Sequence, residues 1–200
     1  RSGNNLPRHL ATLDRMEGGQ RHLSLDLQKS QVWSELHSRK KPFRRVPPVV
    51  SWQATYRCVR FRYKFLVLTG PSMMGKTQFA LSLSSKEGGA LILNMCGMEE
   101  PDLRAFDPLH HDTIVFDEIR PQQVLGQRKL FQAGAEEVTL GSSKTNCMAY
   151  SVWLHRCKMV LCTNTWTQDC AGLPECDRQW LEANAVVIQV DKPLFEASSS

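Results

Sequence analysis

The feature that most constrains this chain is the octapeptide Gly70, Pro71, Ser72, Met73, Met74, Gly75, Lys76, Thr77. It follows an unbroken apolar run, Phe65-Leu66-Val67-Leu68, and precedes a helix-compatible stretch over about 76–84. An apolar run that stops at a glycine turn reads as a buried strand. Two glycines bracketing four residues let the backbone wrap an anion, with successive N–H groups and the amino end of the next helix facing it. In such a strand, loop and helix, Lys76 reaches the β- and γ-phosphates of ATP and the Thr77 hydroxyl binds Mg²⁺. Average usage of Gly, Lys and Ser/Thr gives a chance match in roughly one chain of this length in a hundred. All eight residues, 70–77, are therefore assigned to nucleotide binding.

The pattern around the loop repeats its alternation. Apolar runs at 90–94, 113–117, 159–163 and 186–190 read as short buried strands, and 123–133 and 175–184 read as helices between them. Strands alternating with helices predict an α/β layered domain with a mainly parallel central sheet. There is no internal repeat. Val59, Phe61, Tyr63 and Phe65 alternate with Arg60, Arg62 and Lys64. That period of two predicts an extended strand with one basic face. The predicted organisation is a basic, largely disordered segment over 1–50, the phosphate-loop domain over 51–195, and a disordered tail over 196–200. Ser24 could cap a short helix to about Arg39, with Val32, Trp33 and Leu36 on one face, whereas Pro42, Pro47 and Pro48 argue against regular helix where they stand.

Charge is uneven along the 200 residues. Residues 1–64 hold 14 Lys and Arg against 4 Asp and Glu, and residues 65–200 hold 11 against 16. A basic front attracts polyanions by counterion release, and nucleic acid is the commonest of these; a solvated tail without a specific partner accounts for it equally well. Arg39-Lys40-Lys41 and Arg44-Arg45 fit either a nuclear import signal or a nucleic-acid arm. No apolar run approaches the roughly 18 to 20 residues of a membrane span, so no membrane partner is expected. The first residue is Arg1, and a longer parent protein is the expectation. The seven cysteines, at 58, 96, 147, 157, 162, 170 and 176, form no Cys-x-x-Cys pair. Buried thiols in a reducing, intracellular compartment are the reading, the nucleus ahead of the cytoplasm. The alternative is a metal site built from Cys157 to Cys176 with His155.

Two further strands end in polar residues. Ile114-Val115-Phe116 runs into Asp117 and Glu118. Beside a phosphate loop, the first acid is placed to hold Mg²⁺ and the second to polarise an attacking water, so Asp117 joins Thr77 as a metal residue and Glu118 is the candidate general base. Water activation points to hydrolysis beyond simple binding. The strand 159–163 ends at Asn164, whose amide can hold both the γ-phosphate and the lytic water in line.

Taken together, GPSMMGKT, IVFDE and VLCTN, compact within 70–164, resemble the superfamily 3 helicases of small viruses. The closest likeness is to the helicase domain of replication-initiator (Rep) proteins of circular single-stranded DNA viruses and their integrated relatives, with parvovirus- and picornavirus-type helicases more distant. The resemblance covers 65 to about 190. It implies an AAA+-like P-loop ATPase that assembles into a homo-oligomeric ring, usually a hexamer, and draws single-stranded nucleic acid through its centre. Lys76 and Thr77 match the Walker A positions, Asp117 and Glu118 the Walker B acids, and Asn164 the γ-phosphate sensor. The stretch from Glu136 to Lys144, followed by Ala149 to Trp153, resembles the segment that builds the pore hairpin, which would bring Lys144 to nucleic-acid phosphates. The arginine finger expected after the sensor falls on Arg178, with Arg156 as the alternative.

Departures from that family are equally plain. Rep nicking domains carry a His-hydrophobic-His pair and a Tyr-x-x-Lys motif. Here His110 and His111 are adjacent, and neither Tyr56 nor Tyr63 has a lysine three positions on. No endonuclease activity is expected of this chain, and the two histidines read as a polar loop. The expected function is an ATP-dependent helicase or translocase on single strands, DNA before RNA. The alternatives are a P-loop module that binds nucleotide or nucleic acid without moving, or a small nucleotide kinase.

Overall fold

The computed structural model describes residues 43–86, 89–141 and 149–196. Lys144, Cys147, the Ser24 to Arg39 segment, the 39–41 basic run and the last four residues lie outside them. Helix α1 (Pro47–Thr55) leads to β1 (Phe65–Thr69) and α2 (Lys76–Leu81), then β2 (Leu91–Asn94) and β3 (Thr113–Asp117). Two short helices follow, α3 (Pro121–Gly126) and α4 (Arg128–Phe131), before β4 (Val138–Leu140), β5 (Tyr150–Val152) and β6 (Lys158–Thr163). Helices α5 (Trp166–Ala171) and α6 (Glu175–Asn184) precede β7 (Ala185–Gln189).

Five strands form one parallel sheet in the order β2-β3-β6-β1-β7, and β4 and β5 form a separate antiparallel pair. A parallel sheet is covered on both faces, so its central strands must be apolar throughout; every residue of β1 and β6 is buried. Phe65, Phe116 and Phe131 fill the core, the Phe131 ring lying 5.8 Å from that of Phe65 and 4.9 Å from that of Phe116 between centroids. Register decides function here. Thr69 pairs with Thr163, and Asp117 with Cys162. The residues after β1, β3 and β6 therefore emerge along one edge. Among the described residues no helix is long and apolar enough to cross a membrane.

Three sequence expectations are corrected. Helix α1 begins at Pro47, against the expectation that the prolines exclude helix: at the first helical positions the missing N–H costs no hydrogen bond and the fixed φ suits the turn. Its Val49 and Trp52 are buried in the core. The period-two segment before β1 is no strand, because β6 and β7 start level with β1, at Leu66↔Val160 and Phe65↔Ala185, and give the preceding residues no partner. The Tyr63 hydroxyl serves its backbone instead, accepting from the Arg60 N–H and donating to the Cys58 carbonyl, both at 2.9 Å. The helix expected over 123–133 is broken after Gly126, where Gln127 leaves helical geometry (φ −126°, ψ 40°); glycine weakens a helix by about 1 kcal/mol relative to alanine.

At the amino ends of β3 and β6, the Lys158 ammonium meets Asp112 at 2.9 Å and donates to the Leu83 carbonyl at 2.8 Å. Burial alone would raise the Asp112 pKa, but hydrogen bonds from Ser85, Ser84 and Lys158 outweigh it and hold the carboxyl well below its ordinary range. A depressed folded-state pKa adds stability that is complete above the unfolded value, near 3.9, and lost as pH falls below it. Asp112→Asn should cost roughly 3 kcal/mol at neutral pH by leaving Lys158 buried beside a neutral partner. Urea midpoints at pH 7 and pH 3 check this: the gap between wild type and variant should narrow in acid. Trp52→Ala should cost roughly 3 to 5 kcal/mol in the same assay, since the indole is buried and its N–H reaches the Lys64 carbonyl at 2.7 Å.

Candidate nucleotide site

Backbone shape makes the loop. Gly70 sits at φ +147°, and a Cβ there would stand 2.3 Å from the Val190 carbonyl oxygen. Gly75 sits at φ +81°, and its Cβ would meet the Phe195 ring at 2.7 Å. Both glycines are thus required by close approach as well as by conformation. Phe195 is itself fixed by stacking on Phe43 at 4.8 Å between centroids, while the Leu194 N–H donates to the Met74 carbonyl at 3.0 Å. The two ends of the described chain thereby support the loop from beneath, a role that no sequence signal announces. Met73, at φ 65°, leaves its side chain in solvent.

Lys76 opens α2 and is only 7% exposed. Its ammonium donates to the carbonyls of Gly70 at 2.8 Å and Pro71 at 2.7 Å and to Asn164 Oδ1 at 2.8 Å. Burial lowers its pKa, an effect opposed by the carboxylates of Glu118 and Asp117. Beside it the Thr77 hydroxyl donates to Asp117 Oδ1 at 3.1 Å. Burial, reinforced by Asp117, pushes the Cys162 thiol up to about 12. A neutral thiol adds no charge to a floor that already carries two carboxylates. Asn164 Nδ2 donates to Ser72 Oγ at 3.2 Å, so the amide touches the loop on both sides.

Glu118 follows β3 in the left-handed region, φ 57°. A non-glycine residue held there costs on the order of 1 kcal/mol or more and is common where geometry serves chemistry. Ser72 to Gln78, Asp117, Glu118, Thr163 and Asn164 line one cleft of about 400 Å³, within the size range of small-molecule sites. The structure thus brings together Lys76, Thr77, Asp117, Glu118 and Asn164, which are up to 88 positions apart in pairs that hydrogen-bond. Thr77 and Asp117 present a hydroxyl and a carboxylate oxygen side by side, a donor set that fits Mg²⁺ completed by phosphate and water oxygens. The role of Ser72 as a partner for Asn164 was hidden, because its position inside the loop already explained it.

Arg178 lies outside the cleft, on α6, where its guanidinium pairs with Glu175. Arg156 donates to the carbonyls of Tyr56 at 2.8 Å and Arg57 at 3.3 Å. The histidines before β3 are polar loop groups: His110 meets Asp107 at 2.6 Å and His111 Nδ1 accepts from the Asp107 N–H at 3.1 Å. Cys157 and Cys162 are buried apart from the exposed Cys176. Among the described residues no three His, Cys, Asp or Glu side chains gather where they could hold a metal.

The strand order and the loop give an α/β fold of the P-loop NTPase type. No protein-family model matches the chain, and no curated protein matches it. Among solved structures it is similar to NtrX from Brucella abortus in complex with ADP, at 18% identity and a TM-score of 0.45, over 88% of this chain and 42% of that one. The chain thus spans less than half the length of that protein. The likeness is distant, and the fold stands on the sheet and loop described above.

Gly70→Ala should destabilise the chain by about 1 to 3 kcal/mol, from the clash with Val190 and the unfavourable φ. It should also abolish binding of a fluorescent ATP analogue. Chemical denaturation and fluorescence titration of the same preparation check both.

Proposed function

We propose that this chain is a Mg²⁺-dependent ATPase that couples hydrolysis to movement on single-stranded nucleic acid, DNA in preference to RNA, as a ring of the superfamily 3 helicase type. One observation carries the reading: the buried Lys76 ammonium is bonded to Asn164 Oδ1 at 2.8 Å, with the Asp117 and Glu118 carboxylates in the same cleft.

A triphosphate entering the loop offers its β- and γ-oxygens to Lys76, which exchanges neutral acceptors for charged ones. Charge-assisted hydrogen bonds are roughly twice as strong as neutral ones, so the exchange favours the bound state. Release of Lys76 frees Asn164 to turn its amide to the γ-phosphate and the attacking water. Glu118 accepts a proton from that water as it attacks. Thr77 and Asp117 would hold Mg²⁺, which neutralises charge on the phosphate oxygens. Asn164 touches the loop through Ser72 as well as through Lys76, so loss of the γ-phosphate is felt by the loop directly. Lys144 is proposed to meet nucleic-acid phosphates in the pore. For the finger reaching a neighbour's ATP, Arg178 is better supported than Arg156, because α6 presents its guanidinium at the surface while Arg156 is committed to two backbone carbonyls.

A cleft of about 470 Å³ on the far side of Glu118, lined by Met95, Cys96, Met98 and Arg120, favours a second reading. A phosphoryl acceptor other than water would enter there, as in a small kinase.

Steady-state turnover with and without oligodeoxynucleotide or oligoribonucleotide tests the proposal. Lys76→Ala should abolish ATP hydrolysis, and Glu118→Gln should lower it about 10² to 10⁴-fold while nucleotide still binds. A single strand should raise the wild-type rate severalfold. Nucleotide binding without phosphate release, at concentrations that favour rings, would replace the motor with a binding module. ADP formed without free phosphate would point to the acceptor reading.

A further inference from the structure

At the amino ends of β1 and β6, opposite the edge that carries the nucleotide cleft, the surface is basic and aromatic. Arg57, Arg60, Arg62 and Lys64 alternate there with Val59 and Phe61, and of residues 57–64 only Tyr63 is buried. Phe61 is 91% exposed and Val59 74%. Large apolar side chains presented within a basic run suit a partner that is both anionic and flat-faced.

The segment is built, not loose. Besides the Tyr63 hydroxyl bridge between Arg60 and Cys58, the Tyr56 hydroxyl donates to the Lys64 carbonyl at 2.9 Å, and Arg156 clamps the carbonyls of Tyr56 and Arg57. His155 Nε2 meets the Arg60 carbonyl at 3.1 Å. The same ring stacks on Trp153, with centroids 5.7 Å apart and planes at 20°. Trp153 is 54% exposed, and its indole N–H donates to the Ala135 carbonyl at 3.0 Å. The Phe61 carbonyl lies against the adjacent Gly134, where an added Cβ would stand 3.2 Å from it. Phe61 and Trp153 thus flank one turn, each presenting ring surface to solvent. Beside Trp153 opens a cleft of about 800 Å³ lined also by Arg57 and Lys86 and by the ion-paired Lys158 and Asp112. Of the acids next to the turn, Glu136 is drawn to Lys129 at 2.9 Å, which leaves the arginines in excess over Glu137.

We propose that this surface binds a segment of single-stranded nucleic acid, Phe61 and Trp153 stacking on bases while Arg57, Arg60 and Arg62 meet phosphates. Every base has a face to stack, and the contacts named do not read the 2′-hydroxyl, so at this surface DNA and RNA strands of equal length should bind alike, and the preference for DNA proposed above would arise elsewhere in the chain. A duplex hides its base faces and would be held by charge alone. The proposal rests on the nucleic-acid partner of the preceding section, but its test reads binding in the absence of ATP and so succeeds or fails apart from hydrolysis.

The test is fluorescence anisotropy of the full chain with labelled oligothymidylate of about 20 nucleotides, longer than the roughly 4 to 16 that one binding fold covers. A matched duplex and oligouridylate are run beside it. Phe61→Ala should weaken single-strand binding at least about fivefold with an unchanged melting temperature, because the ring is exposed, and should leave duplex binding as it was. Arg57→Ala/Arg60→Ala should flatten the slope of log K against log salt by about 1.4. Equal affinity of Phe61→Ala and wild type for the single strand would overturn the proposal, as would an equal loss on single strand and duplex. If Phe61→Ala changes the oligomeric state by light scattering with no change in affinity, the surface is a protein contact and the proposal fails.

Discussion

An ammonium group buried at the carboxyl edge of a parallel sheet governs the organisation of this molecule. Lys76 cannot be left unpaired at 7% exposure, because an unsatisfied buried charge costs several kcal/mol. The chain meets that demand with two carbonyls of its own loop and the side chain of Asn164. Those carbonyls point inward only because Gly70 and Gly75 permit the turn, and the turn keeps its shape because Val190 and Phe195 lie against it. The loop therefore depends on β7 and on the residues after it, far away in sequence.

The sheet does the remaining alignment. With Thr69 beside Thr163 and Asp117 beside Cys162, a one-residue slip of β6 would carry Asn164 away from Lys76 and swap its side chains between the two packed faces of the sheet. The hydrophobic pattern that buries β1 and β6 also fixes where the polar side chains emerge. The opposite ends of the same strands carry the Asp112–Lys158 pair and the basic aromatic surface around Phe61. Nucleotide chemistry and the proposed strand contact would thus share β1 and β6 as rigid connections, about 13 to 17 Å long at roughly 3.3 Å per residue.

Much of the fold and the cleft could be read from sequence because their signals are local: an apolar run, a glycine loop, a carboxylate or amide at the next boundary. Lys76, Thr77, Asp117, Glu118 and Asn164 each close or follow a strand whose burial is written in its own residues. What escaped has non-local causes. Pro47 and Pro48 read as breakers until their place in the first turn of α1 is known, and Trp52 reveals its burial only through the core it enters. The alternation before β1 looked like a strand, yet β6 and β7, the neighbours of β1, start level with it and offer the preceding residues no partner. Phe195 beneath Gly75 left no trace in the local pattern, since aromatic residues near a chain end carry no positional meaning by themselves. Lys144 lies outside the described residues, and Arg178 would act, on the proposed reading, in a neighbour's site.

The central claim is that Asn164 exchanges Lys76 for the γ-phosphate. Calorimetric titration of Mg·ATP, with a non-hydrolysable analogue as control, and of Mg·ADP into wild type and Asn164→Ala tests it directly. The account predicts that wild type binds the triphosphate several-fold more tightly than ADP and that Asn164→Ala loses this preference while keeping its affinity for ADP. An unchanged preference in Asn164→Ala would contradict it.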